Sequence, residues 1–159
     1  MMRYSQDGLK LTEGFEGYRD RSYQDVGGVW TIAYGHTRGV GPGLTCIRAQ
    51  GDSWAIEDLG YAEALVNDLV VNEWPTLKDP ITQNEFDAIV DFEFNTGGLK
   101  GSSMLRYLQA GDIHNAALEF DKWDHVHGKV VADLLKRREA ERTLFEQPDK
   151  PGDPEAGAD

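Results

Sequence analysis

The sequence predicts an α+β fold in which a single β hairpin is set among helices. Three patterns carry this expectation. Apolar positions one helical turn apart lead up to Glu16, strand alternation brackets a glycine turn between Tyr18 and Tyr34, and helical apolar spacing recurs from Ile56 to Phe145. At 159 residues the chain makes one domain, or two small lobes sharing a cleft. A hydrophobic fraction of 40% is enough for a real core.

The first helix is expected from Ser5 to Glu16, with Leu11 and Phe15 one turn apart and Leu9 and Thr12 nearby. It leaves Glu16 at the C-terminal edge, where the helix dipole disfavours a carboxylate and tends to raise its pKa. The plain alternative is a surface glutamate at a helix end. Ser22-Tyr23-Gln24 then leads into the turn Asp25-Val26-Gly27-Gly28. In the following strand Trp30, Ile32 and Tyr34 share one face, and Val29, Thr31 and Ala33 the other. Residues Thr37 to Ser53 read as a glycine-rich loop that matches neither a phosphate loop nor a dinucleotide fingerprint.

A long helix is expected to begin near Ile56, with Leu59, Ala62, Val66, Leu69 and Val70 at helical spacing, and to stop at Trp74 before Pro75. Thr82-Gln83-Asn84-Glu85 is a capping box opening a helix that holds Phe86, Ile89, Val90 and Phe94, and Gly97-Gly98 closes it. Ser102 to Leu108 forms a short helix. Asp112 N-caps the next, which buries Ala116, Phe120 and Trp123. Gly128 breaks the chain before a last helix with Leu134, Leu135, Leu144 and Phe145 as its apolar residues. From 148 to 159 the chain has Pro148, Pro151 and Pro154 and no bulky apolar side chain, so a disordered acidic tail is expected.

Composition excludes several classes. No apolar run approaches membrane-spanning length, and Met1 to Gly8 lacks the apolar segment of a signal peptide. The net charge of −12 opposes nucleic-acid binding and adhesion to an anionic membrane. The same charge opposes approach to an anionic cell wall unless a cleft is locally basic. Cys46 is the only cysteine, so no internal disulfide forms, and it reads as a small, partly buried apolar residue. His36, His114, His125 and His127 do not make a zinc motif.

Two carboxylates across a cleft suit glycoside hydrolysis, one as acid and one to manage water or the anomeric carbon. Glu16, Asp25 and Thr31 have that potential, and they do more. Their order and spacing, with Phe15-Glu16-Gly17 before them and Tyr34-Gly35-His36-Thr37 after, resemble the catalytic motif of the phage-type lysozymes. Phe86 to Gly97 and the run Lys136-Arg137-Arg138-Glu139-Ala140-Glu141-Arg142 resemble two further blocks of that family, so the likeness covers roughly residues 9 to 146. Ala33 departs from the glycine usual there and adds a methyl beside the cleft.

The resemblance implies a lysozyme-like fold, a small β-hairpin lobe joined by a long helix to a larger helical lobe. Residues 1–147 would be the catalytic domain: small lobe about 15–55, connecting helix about 56–74, helical lobe about 75–147. It implies a muramidase in which Glu16 protonates the leaving oxygen while Asp25 and Thr31 hold the attacking water, with inversion. Thr37, Phe94, Asn95, Ser103 and Arg137 would contact the glycan, and Arg137 or Arg138 would reach Glu16. The bland reading of the basic run is a solvated helix face with Glu–Arg pairs. His36 would pair with an acidic residue of the long helix, for which Asp68 is the candidate. No metal and no cofactor are implied. The partners would be peptidoglycan glycan strands and, functionally, a holin; the protein would be a monomer made in the host cytoplasm and released to the wall.

Overall fold

Strands β1 (Arg19–Gln24) and β2 (Trp30–Ala33) pair antiparallel across the Asp25 turn, with Tyr23 opposite Thr31 and Gln24 opposite Trp30. The register slips between Arg19 and Tyr23, a bulge that increases the local twist. The loop after β2 returns to cover the far edge of β1, where Arg21 bridges Thr45. Before the hairpin comes helix α1 (Gln6–Glu16), N-capped by Ser5, whose hydroxyl accepts from the Gly8 amide at 3.1 Å. This computed structural model describes residues 1–76 and 79–151.

Helix α2 (Arg48–Val66) starts well before the position expected near Ile56. Gly51 and Asp52 look like loop residues, yet Gly51 is in the helix because of what it packs against. A methyl there would lie 2.8 Å from the Tyr18 ring and 2.9 Å from the Ala33 methyl. Ala33 itself is buried with φ of 54°, the left-handed conformation that favours glycine and costs an L-residue roughly 1–2 kcal/mol. The Ala33 methyl therefore points into the hairpin–α2 contact, where it was expected beside the cleft. Beyond Val66 the helix widens into a π-helical turn, Asn67–Val71.

Helix α3 (Gln83–Thr96) is the centre of the molecule. Its capping box is complete, and Gly97 ends it with φ of 62°. Phe86, Ala88, Ile89, Val90 and Phe92 are all fully buried, in one core with Met104 and Leu108 from α4 (Ser103–Gln109), Ala116 from α5 (Ile113–Glu119), Phe145 from α6 (Ala132–Glu146), Leu99 from the loop before α4 and Phe120 from the 3-10 turn after α5. Two carboxylates share this helix one turn apart. Asp87 takes the Ser5 hydroxyl and amide, and Asp91 takes the Thr12 hydroxyl at 2.6 Å, so α1 is fastened to α3 at two points.

Three expectations are corrected. A short hairpin, β3 (His125–Val126) and β4 (Lys129–Val130), precedes α6, where only a break at Gly128 was foreseen. Its turn residues His127 and Gly128 have φ of 50° and 77°, the primed turn that a two-residue hairpin needs. The tail begins pinned: Asp149 caps α3 by accepting from the Gln83 and Asn84 amides, and Lys150 pairs with Asp7. Residues 152–159 lie outside the described residues. Finally, His36 pairs with Asp58, not Asp68, at 2.7 Å, and stacks flat on Trp54 at 4.6 Å. Asp58 lies two turns before the π-helical segment, and Asp68 lies inside it, where helical phase changes.

Two outcomes test these contacts. In chemical denaturation, His36→Asn and Asp58→Asn should couple by about 1 kcal/mol, whereas His36→Asn and Asp68→Asn should be additive. The second concerns pH. Burial pushes the Asp87 carboxyl up to about 6, against the hydrogen bonds from Ser5 and Gln83. A raised carboxyl favours folding fully below its ordinary value of 3.8, and that contribution is lost as pH rises through about 6. Compared with wild type, Asp87→Asn should flatten the fall in stability across that window by on the order of 2–3 kcal/mol.

Candidate active site

Glu16 closes α1 just before Gly17, whose φ of 61° turns the chain into β1. Its carboxyl is largely buried and lies against Gly35, where a Cβ would overlap Oε2. Gly35 also has φ of 75°, so both backbone and space require glycine there. The other carboxyl oxygen, Oε1, accepts from Arg137 Nη1 at 2.5 Å. Burial pushes the Glu16 pKa up, the nearby Asp91 carboxylate adds to this, and Arg137 opposes it. The net shift is upward, as a proton donor at a glycosidic oxygen needs.

Asp25 has the opposite setting. It is exposed, and its Oδ1 accepts the Gly27 and Val29 amides at 2.9 and 2.8 Å, building the turn it sits on. No donor among the described residues reaches Oδ2. Thr31 lies across the hairpin beside Tyr23, buried, with its hydroxyl donating to the Val29 carbonyl at 2.9 Å. Its proton being engaged, the Thr31 oxygen keeps its lone pairs to accept from a water.

Arg137 is buried under Glu16, its side chain 5% exposed. Nε and Nη2 fork onto Asp91 at 3.0 and 2.9 Å while Nη1 holds Glu16, and the guanidinium lies 5.5 Å from the Phe15 ring. Where a glycan contact was expected of Arg137, its Nε, Nη1 and Nη2 each donate to a carboxylate, Asp91 or Glu16. Burial pushes Asp91 up, but Arg137 and the hydrogen bonds from Glu141, Arg137 and Thr12 more than offset this and hold it below the ordinary range. Burial drives the Glu141 carboxyl well up, the neighbouring Asp91 adds to this, and Arg138 opposes it. Arg138 is fully buried over Phe92 and donates to Glu141 at 2.6 Å and to Asn95 Oδ1 at 2.8 Å. The solvated-face reading of the basic run is therefore overturned at these two arginines.

The sugar candidates are dispersed. Thr37 and Phe94 line one cavity of about 330 Å³, with Gly35, Arg38, Tyr61 and Glu93 among its walls. Asn95 follows Phe94 and, its carbonyl held by Arg138, keeps Nδ2 as a donor. Ser103 is not brought to this cavity; it begins α4 and accepts from Arg106 at 2.8 Å. Asp91, Asp58 and Tyr61 were missed. The signal for Asp91 was present, because it interrupts the apolar face of α3 while two adjacent arginines await partners on the last helix.

A buried, raised carboxyl beside a hairpin that presents an exposed carboxylate and a threonine defines a glycoside-hydrolase type of site on an α+β frame. The family comparisons agree with this class. The family model described as Phage lysozyme matches residues 13–141. The endolysin of Acyrthosiphon pisum secondary endosymbiont phage 1 is 38% identical over 91% of this chain and 99% of its own. The endolysin of Bacillus phage B103 is 40% identical over 91% of this chain, which spans only 54% of that longer protein. Among solved structures, the muramidase domain of SpmX from Asticaccaulis excentricus superposes with a TM-score of 0.75 at 34% identity, covering 93% of this chain and all of that one. The chain belongs to the phage lysozyme family and is a peptidoglycan hydrolase of lysozyme type.

The geometry around Arg137 gives a prediction. Asp91→Asn removes the carboxylate that shares the guanidinium, so Glu16 meets a less neutralised cation and its pKa falls. Activity that requires protonated Glu16 is lost as pH rises through that pKa, so the alkaline limb of kcat/KM should move to lower pH. Stability should drop by about 3 kcal/mol. An unmoved limb in the folded variant would show that Asp91 only supports the fold.

Proposed function

We propose that this chain is an endolysin that hydrolyses the β-1,4 bond between N-acetylmuramic acid and N-acetylglucosamine with inversion. The observation that supports it best is the contrast between the two carboxyls. Glu16 is buried, held by Arg137 and shifted toward its acid form, whereas Asp25 is exposed with Oδ2 unengaged. In this reading Glu16 gives its proton to the leaving oxygen. Asp25 takes a proton from water, and Thr31 accepts that water's second hydrogen. Thr37, Phe94 and Asn95 hold the glycan. The relatives named endolysin support a role in host lysis. Among the described residues no helix is long and apolar enough to cross a membrane, which fits release to the wall through a holin after synthesis in the host cytoplasm. We take the working form to be a monomer without metal or cofactor.

Glu16→Gln should fold and lose hydrolysis by at least about a hundredfold, because the amide has no proton to give at useful acidity. Asp25→Asn should be similarly impaired. The products decide the reaction: new reducing ends of α configuration, with water added, are expected. Anhydro ends would instead identify a transglycosylase, and a fully active Asp25→Asn would point the same way.

A further inference from the structure

The hairpin carries a second concavity, of about 460 Å³, on β1, lined by Tyr18, Arg19, Asp20, Arg21, Ser22 and Tyr23. Asp20 stands between Arg19 and Arg21 in this lining but forms no ion pair with either. Arg19 lies 4.1 Å over the Tyr23 ring, and neighbouring Arg48 lies 3.9 Å over Tyr18 while donating to the Tyr34 hydroxyl at 2.5 Å. Arg19, Arg21 and Arg48 are exposed, and none is in an ion pair among the described residues, although the chain has 28 acidic side chains for 16 basic ones. Residues 17–48 hold four arginines (Arg19, Arg21, Arg38, Arg48) against Asp20 and Asp25, a net +2, which leaves −14 for the rest of a chain of net −12.

We propose that this pocket on β1 binds an anionic group repeated along the wall polymer, a stem-peptide carboxylate or a wall phosphodiester. Exposed guanidiniums recognise either oxyanion through paired N–H donors, and the stacked tyrosines hold the planar forks in place at low entropic cost. Position favours cooperation with catalysis. Arg21 lies four residues before Asp25, which opens the turn after β1, so the two are at most roughly 13 Å apart and an anion pendant from a bound glycan reaches the pocket from the cleft. The local +2 also lets an acidic protein meet an acidic wall, because charges more than about 10 Å away are screened at 0.1 M salt. This inference rests on the wall-hydrolase reading.

The test compares the full-length wild type with Arg19→Gln/Arg21→Gln and with Lys100→Gln/Lys129→Gln, an equal charge change at exposed sites on the helical side. Binding is read by cosedimentation with wall fragments in the cold, and hydrolysis by initial release of reducing ends. The substrates are native fragments, fragments stripped of phosphodiesters by hydrofluoric acid, and fragments with amidated carboxyls. The arginine pair should weaken binding and raise KM about tenfold at low salt, leave kcat unchanged, and lose this effect on the substrate lacking the recognised anion. That substrate identifies carboxylate or phosphate. Equal effects of the lysine pair would reduce the pocket to net charge, and an unaltered KM for the arginine pair, with the far-UV spectrum intact, overturns it. Wild type that binds all three substrates yet releases no reducing ends would instead sink the hydrolase reading and leave the pocket standing.

Discussion

The position of Glu16, the proposed acid, depends on Arg137. One guanidinium inside the protein joins Glu16 at the end of α1, Asp91 in the middle of α3 and the helix α6 that supplies it. Such a buried pair is not a large source of net stability, since desolvation consumes most of the Coulomb energy. Its consequence is geometric. Any shift of α1 against α3 leaves a charge buried without a partner, at a cost of about 3–5 kcal/mol. The Ser5–Asp87 and Thr12–Asp91 hydrogen bonds hold the same two helices in register, so α1 has little freedom to slide and Glu16 has little freedom to turn.

Asp25 depends on a different kind of support. Its turn is organised by its own side chain, and the hairpin reaches the helices through tight backbone contacts instead of charges. Gly51 lets α2 come against Ala33 and Tyr18, and Gly35 lets the loop after β2 come against Glu16. His36, stacked on Trp54 and paired with Asp58, ties that loop to α2. The acid is thus fixed from the helical side and the base from the hairpin side, and Gly35 is where the two constructions touch. Left-handed Ala33 is tolerated because its methyl fills the space beside Gly51 that the helix leaves for it.

What was legible in the sequence was local chemistry. The capping box at Thr82, the glycine stop at Gly97 and the turn after Asp25 were visible because each is determined by a few neighbouring residues. The start of α2 was not, because Gly51 acts against a local rule for the sake of a contact with Tyr18 and Ala33 from another element. The β3–β4 hairpin escaped because two-residue strands carry no alternation to detect. The partner of His36 was misplaced by ten residues, about 15 Å along the helix, because the early start of α2 at Arg48 was not foreseen. For the site, the motif pointed to Glu16, Asp25 and Thr31, whereas the burial of Arg137, Arg138, Asp91 and Glu141 was hidden. A helix whose inward face is charged looks like a solvated helix until its partners on α3 are known.

That hidden burial also changes the meaning of the overall charge. Arg137 and Arg138 are spent inside, turned to Asp91, Glu16 and Glu141, so neither guanidinium is offered to an approaching polymer. Of the cations left outside, Arg19, Arg21 and Arg48 on and beside the hairpin are exposed and in no ion pair among the described residues, although Asp20 lies between the first two. Net charge sets solubility and long-range repulsion, but the field at a cleft is set by the groups within a Debye length of it. The distribution here, net +2 over residues 17–48 and net −14 over the rest, gives the molecule a direction in the field of an anionic surface. An anionic surface draws the hairpin side inward and pushes the helical side away, which presents Asp25 and the cleft beside it to the polymer first.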